Sequence, residues 1–337
     1  MATNFLAIKL GSSMTTIYKQ GEGFILSEPS LVAVNLKYNE KQIVAVGSEA
    51  KKFIGKSSDS GITVVSPISE GIINDSALAS EMLKHFLLKV CPKHIFKPTI
   101  RALICVPLGI SLAEKLTFER TCYAAGVSDC VLIPSVVCAA IGAGVNIESS
   151  EAHMVVGIGA GCTDIAIFGE NMLINGVNIG LGGSNIDKAI IQQIYNNCNL
   201  IISDEMAEKI KKDIGSLYYN DLNSLEISGK DAETGKAREE IITAVDVYPA
   251  IEHYYSKVIE SISSLLSVCS PEVNNEVSRN VIALVGGDSK MVGIEKFFKT
   301  KLGINVRSYI DAEDVEMVGA SKLLDSPQTL KHILVNI

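Results

Sequence analysis

Two glycine-rich turns hold most of the chemistry this sequence could perform. Near the start, Ala7-Ile8-Lys9-Leu10-Gly11-Ser12-Ser13-Met14-Thr15-Thr16-Ile17-Tyr18 leads into Gly21-Glu22-Gly23-Phe24-Ile25-Leu26. Near the middle, Val155-Val156-Gly157-Ile158-Gly159-Ala160-Gly161-Cys162-Thr163-Asp164-Ile165-Ala166 leads into Gly169-Glu170-Asn171-Met172-Leu173-Ile174. Small residues let successive backbone N–H groups converge on one concave point, and such a point binds anions. Glycine also adopts the positive φ that tight turns demand. One offset lays Gly11 on Gly159, Gly21 on Gly169 and Phe24 on Met172. Two unrelated hairpins could each look like this; the shared offset across three features favours a duplicated unit. Two similar lobes would aim their turns into one cleft, and a phosphate chain is the natural ligand for such a pair.

The elements that must position these turns follow from local patterns. Each copy reads as strand, small-residue turn, strand, short turn, strand, because runs rich in β-branched residues flank the glycines. Helices are predicted over 76–90, 111–125 (with Ser111 as N-cap), 136–144, 185–197, 204–217, 247–268 and 291–301. Strands are predicted over 101–107, 131–133 and 281–285. Helix 136–144 is apolar and rich in small residues, so it can pack closely against a neighbour. Strands alternating with helices give an α/β fold.

Bulk properties narrow the function classes. The chain has 337 residues, 47% hydrophobic, with a formal net charge of -8. That length suggests roughly two lobes. The acidic balance argues against nonspecific nucleic-acid binding, which needs a basic surface. Residues 1–10 show no charged stretch followed by an apolar run, and the longest apolar stretch, 136–145, is too short to span a bilayer. The eight cysteines form no Cys-x-x-Cys, and no histidine cluster completes a zinc site. Most sit inside apolar runs, where cysteine behaves as a small hydrophobe. The expectation is a cytoplasmic protein without a metal site.

Further stretches carry a resemblance over nearly the whole chain. They include Ser27-Glu28-Pro29-Ser30-Leu31-Val32-Ala33-Val34, Glu49-Ala50-Lys51-Lys52-Phe53-Ile54-Gly55, Gly71-Ile72-Ile73-Asn74-Asp75 and Cys105-Val106-Pro107-Leu108-Gly109-Ile110. Later come Ala139-Ala140-Ile141-Gly142-Ala143-Gly144, Gly182-Gly183 with Asp187, Ala207-Glu208 with Lys211, Ile214-Gly215-Ser216 and Leu284-Val285-Gly286-Gly287. In this order they resemble the MreB family, the rod-shape actins of bacteria. The resemblance implies an actin-like fold of two duplicated α/β lobes, of the superfamily that includes sugar kinases and heat-shock chaperone ATPases. It implies a first lobe over 1–144 with a small subdomain near 33–66. A second lobe would cover 145–309, with a small subdomain near 182–245, and 310–337 would return to the first. It implies ATP or ADP as ligand, protofilaments of the chain itself or with other MreB-like subunits, and a place at the inner face of the plasma membrane. Nucleotide contacts would come from Gly11, Ser12, Ser13 and Met14, from Gly159, Ala160, Gly161 and Cys162, from Glu208 and Lys211, and from Gly286, Gly287 and Asp288.

The sequence departs from the family where hydrolysis is performed. The first phosphate motif opens on Lys9 instead of Asp, the second on Gly157 instead of Asp, and Ser135 stands where the catalytic Glu is expected. Aspartates there hold magnesium-bound waters, and the Glu orients or deprotonates the attacking water. A serine needs an activating partner for that work. The expectation is a pseudo-ATPase with no catalytic residues and no magnesium site. Lys9 would either touch the phosphates as a point charge or turn away from an empty cleft. Asp164 survives and is expected to bond nearby backbone in a turn. The loop Cys91-Pro92-Lys93-His94-Ile95-Phe96-Lys97-Pro98 matches one that enters the membrane in the family, so Ile95 and Phe96 are the expected membrane contacts, with lysines facing anionic headgroups. Packing of both residues beneath the loop is the alternative. An active ATPase, a sugar kinase and a scaffold subunit that copolymerises with an active MreB are the competing functions.

Overall fold

The computed structural model describes residues 3–35, 42–55, 61–92 and 99–336. The chain forms two compact units, one from residues 1–146 and 314–337, the other from 147–313. Among the described residues no helix is long and apolar enough to cross a membrane.

The first unit opens with strands β1 (Thr3–Leu10), β2 (Met14–Lys19) and β3 (Gly23–Pro29). Next come β4 (Val32–Asn35), β5 (Gln42–Val46), a short helix α1 (Ser48–Lys51) and β6 (Ile62–Val65), and β4 to β6 form a separate three-stranded sheet in the order β5-β4-β6. A two-stranded pair, β7 (Ile68–Ser69) and β8 (Ile72–Ile73), precedes α2 (Ser76–Val90), β9 (Thr99–Val106), α3 (Leu112–Ala125), β10 (Asp129–Pro134) and α4 (Ser135–Gly142). The main sheet runs β10-β9-β1-β2-β3, with β1, β9 and β10 parallel. Helix α2 starts where Asp75 accepts the Leu78 N–H, and it buries Leu78, Met82, Leu83, Phe86, Leu87 and Val90 along one face. Ser111 caps α3, as the sequence predicts, and with Glu114 it forms a reciprocal capping box.

The second unit repeats the plan with β11 (His153–Ile158), β12 (Thr163–Gly169), β13 (Met172–Ile179), α5 (Gly183–Cys198), β14 (Leu200–Ile201) and α6 (Asp204–Ile214). It continues through β15 (Ser224–Asp231), β16 (Ala237–Thr243), α7 (Ala244–Ser267), α8 (Pro271–Arg279), β17 (Ile282–Val285), α9 (Ile294–Leu302) and β18 (Val306–Ser308). Its main sheet runs β13-β12-β11-β17-β18, and β14-β15-β16 form a small sheet. The chain then returns to the first unit as α10 (Val315–Asp325) and α11 (Pro327–Asn336). The fold is α/β and actin-like, as the sequence implies.

The duplication holds at the first turn and fails at the second. Lys9 pairs with Thr16 across β1 and β2, and Gly157 pairs with Asp164 across β11 and β12, which is the same register. The Gly11 N–H donates to the Met14 carbonyl at 3.1 Å, and the Gly159 N–H to the Cys162 carbonyl at 3.0 Å. Beyond that point β2 ends at Lys19 and turns through Gly21, whereas β12 runs on to Gly169 and turns through Glu170 and Asn171, both with positive φ. Gly21 therefore lies in a turn while Gly169 is a strand residue paired with Met172. The sequence equivalence of these two glycines does not survive, because a two-residue turn with two positive φ values replaces a glycine turn.

Two other readings need correction, and one hairpin has no counterpart among the predicted elements. Helix 204–217 stops at Ile214, because Gly215 takes an extended conformation and the Leu217 N–H is drawn to the Val292 carbonyl at 2.8 Å. Asp164 is a buried strand residue, not a turn residue, and its carboxylate accepts from the Asn178 side chain on β13 at 2.7 Å. The hairpin of β15 and β16 is not anticipated, since its alternation is interrupted by charged residues on both strands.

Candidate functional site

In the first unit the chemistry gathers at the end of β1. Ser12 is anchored on both sides: its hydroxyl accepts the Gly71 N–H at 3.0 Å and its carbonyl accepts the Ser66 hydroxyl at 3.2 Å. The Ser13 carbonyl accepts the Ser30 N–H at 2.9 Å. A β-carbon on Gly11 would sit 2.6 Å from the Met14 carbonyl oxygen, so the turn requires a glycine there. The same position lies 3.6 Å from Lys9 Cε, which places the lysine stem over the turn.

Lys9 Nζ lies 2.5 Å from Glu316 Oε2 on α10, with the side chains 27% and 13% exposed. Glu316 Oε1 is buried and has no hydrogen-bond partner among the described residues. Lys9 is thus ion-paired with a residue that the local sequence does not mark, and both readings of its role toward phosphate stay open. No local signal marks Glu316; only the return of the chain through α10 brings it to β1. Ser135 is the first residue of α4, following Pro134 as N-cap. Helices α4 and α10 approach so closely that a β-carbon on Gly142 would lie 1.8 Å from the Val315 carbonyl oxygen, and one on Gly319 would lie 1.7 Å from that of Cys138.

In the second unit the Gly183 and Ser184 N–H groups at the start of α5 donate to the Gly159 and Ala160 carbonyls, both at 2.9 Å. This fixes the turn of Gly159, Ala160, Gly161 and Cys162 against that helix. Gly182 permits the approach, since its β-carbon would meet the Ala160 carbonyl at 2.4 Å. Gly286 has φ 88, donates to the Ala312 carbonyl at 2.8 Å and lies against the Ile158 carbonyl. Gly287 then opens a short 3-10 turn that contains Asp288.

Lys211 is the buried cation of this unit. Its ammonium lies 3.0 Å from Asp187 and 3.1 Å from Asp288, and it donates to the Gly183 carbonyl at 3.0 Å. Burial pushes the Lys211 ammonium down, but Asp288 and Asp187 more than reverse this and raise it above the ordinary value. Burial pushes Asp187 up to about 6 despite Lys211, and it raises Asp288 as well. Glu208 is more exposed and pairs with Lys212 at 2.5 Å, while its charge helps to raise Asp187 and Asp288. The structure thus joins Lys211 directly to Asp288, both expected site residues, with Asp187 as a second carboxylate on the same ammonium. Ile95 and Phe96 lie outside the described residues.

Comparison with known proteins assigns the family. The profile of the MreB/Mbl protein family matches residues 3–332. The chain belongs to the MreB/Mbl family. The cell shape-determining protein MreB of Escherichia coli (strain K12) is 31% identical over 317 residues, covering 93% of this chain and 90% of that protein. The cell shape-determining protein Mbl of Bacillus subtilis (strain 168) is 28% identical, covering 96% and 97%. Among solved structures, MreB5 of Spiroplasma citri bound to AMPPNP superposes with a TM-score of 0.90 at 28% identity over the whole of both chains. Its ADP-bound form gives 0.89 at the same identity, covering 99% of each chain.

Against the MreB/Mbl pattern, the residues here do not fit a magnesium site at the end of β1. The carboxylate that reaches this point, Glu316, is already bound to an ammonium, and a cation beside it repels a divalent ion. Gly157 supplies no ligand, although its packing would accept one: a β-carbon there meets nothing closer than 3.7 Å. The missing acid is therefore not imposed by crowding.

Proposed function

We propose that this chain is a filament-forming bacterial actin acting in cell shape, that it binds adenine nucleotide through its glycine-rich turns, and that it hydrolyses ATP very slowly or not at all. Relatives named for cell-shape determination and a similar MreB5 seen with AMPPNP and ADP support the first two parts. The observation that carries the third is the ion pair of Lys9 with Glu316, at the position where the family has an acid. Ser135 and Gly157 remove the other two acids. The contacts proposed for nucleotide are Gly11 to Met14, Gly159 to Cys162, Glu208, Lys211 and Gly286 to Asp288.

Sedimentation of the purified protein with and without ATP, combined with a phosphate-release assay, tests this reading. Pelleting with phosphate release near the buffer rate is expected, and release matching an active relative would refute it. Ser135→Glu alone should leave release near background, because no metal site accompanies the restored base. Pelleting only in the presence of an active MreB would instead assign a copolymerising scaffold.

Membrane association through Ile95 and Phe96 is part of the same proposal and rests on the loop sequence. Each fully buried apolar side chain contributes about 1.5–3 kcal/mol, so a monomer binds lipid weakly while a filament gains through multivalency. Changing both residues to Ser should abolish pelleting with anionic liposomes and leave polymerisation intact. Normal liposome pelleting by the double variant would rule the loop out as anchor.

A further inference from the structure

We propose that Lys9 and Glu316 form an ion pair that replaces magnesium in nucleotide binding. Lys9 contacts the phosphates directly, and Glu316 is the positioning residue that holds the ammonium at the first turn when no nucleotide is present. This rests on the nucleotide-binding reading above and specifies the ligand as metal-free nucleoside di- or triphosphate.

Three observations carry it. The stem of Lys9 lies over Gly11, so its ammonium stands beside the turn expected to receive phosphate. Its counter-ion is supplied from another element, α10, by a carboxylate using one oxygen while the other is buried without a partner among the described residues. A half-satisfied carboxylate holds a cation less firmly than a bidentate one. A polyphosphate carries several anionic oxygens and can outcompete the single Glu316 oxygen for the ammonium. Finally, a lysine at this place supplies fixed positive charge to the phosphates, which is the electrostatic service a magnesium ion otherwise performs.

The ion pair also explains why the site can hold a cation of its own. A lysine at position 9 is partly removed from water, and Glu316 offsets part of the cost of that burial. The pair permits the substitution in the folded protein and sets the ammonium's availability to ligand.

The test is calorimetric titration of the full chain with ATP, in chelator and in excess magnesium. Four proteins are compared: the parent, Glu316→Gln, Lys9→Met and the double variant. ATP affinity of the parent is expected to change little with magnesium. Glu316→Gln should tighten metal-free binding roughly tenfold, the effect of removing one charged competitor. Lys9→Met should weaken it by a similar factor. In the Lys9→Met background the Glu316 change should have no effect, which a merely structural role for Glu316 would not produce. If Glu316→Gln does not fold, Glu316→Asp, whose carboxylate is withdrawn by one methylene, should tighten binding by a smaller factor. Strict magnesium dependence overturns the proposal, as does a Glu316 effect that is absent or that persists without Lys9. Binding by all four proteins that ignores these substitutions refutes this pair alone. No binding by any of them under either condition refutes the nucleotide reading, and the pair with it.

Discussion

Replacing Gly319 with valine is expected to abolish cooperative folding of the unit built from residues 1–146 and 314–337. The α-hydrogen of Gly319 faces the backbone of α4: a β-carbon would lie 1.7 Å from the Cys138 carbonyl oxygen, 2.6 Å from its carbon and 2.8 Å from the Gly142 nitrogen. These are backbone atoms and cannot rotate away. The helices would have to separate, although Gly142 makes the reciprocal approach to Val315. Separation breaks the bond from Lys322 Nζ to the Ile141 carbonyl and opens the burial of Cys138, Ala139, Met317 and Ala320. It also draws Glu316 off Lys9. Ordinary overpacking costs about 1–3 kcal/mol, and a clash of backbone on both helices should exceed that range. Gly319→Ala should already lower the unfolding midpoint clearly. Gly287→Ala, where a β-carbon meets nothing within 4 Å, should shift stability by no more than about 0.5 kcal/mol. Denaturant unfolding followed by circular dichroism reads all three. A Gly319→Val protein with the parent midpoint would mean that α4 and α10 do not approach as described.

That helix contact also shows where the sequence was readable. The small residues of 136–144 identify a helix that packs closely, yet nothing in them names α10 as the partner. Helices Ser76–Val90 and Leu112–Ala125 were legible to their ends because their signals are local: Asp75 and Ser111 cap them, and apolar residues recur on one face of the first. The first turn of each duplicated hairpin was legible because Gly11 and Gly159 close it through the same backbone bond. The short second turn was legible in place but not in type, since Glu170 and Asn171 reach positive φ without glycine. Ion pairs were the least legible feature. Glu208 and Lys211 sit one helical turn apart in sequence, which suggests a single polar face. Burial instead turns Lys211 inward to Asp187 and Asp288, while Glu208 pairs with Lys212 at the more exposed side. The positions of Lys9, Ser135 and Gly157 were evident, but the partner that makes Lys9 tolerable is supplied by tertiary packing.

Lys211→Met is expected to destabilise the second unit by about 3–5 kcal/mol at neutral pH, the usual cost of leaving buried charges without their partner. Lys211 is 8% exposed and serves two carboxylates and the Gly183 carbonyl. Methionine fills much of the same volume, so the loss is electrostatic more than a matter of packing. The deficit should then depend on pH in a defined direction. Asp187 stands at about 6 in the folded protein against an ordinary value of 3.8, and Asp288 is also raised. Between about pH 4 and 6 the folded state therefore holds a proton on Asp187 that the unfolded chain has lost. For this group stability falls as pH rises through that window and increases on acidification. Without Lys211, which lowers both carboxylates, the folded values rise further and the window extends toward neutrality. Unfolding measured from pH 7.5 down to 5 should show the variant's deficit shrinking, with Asp187→Asn in the same background removing part of that pH dependence. A deficit that stays constant or grows on acidification would show that Asp187 and Asp288 are not the groups Lys211 neutralises.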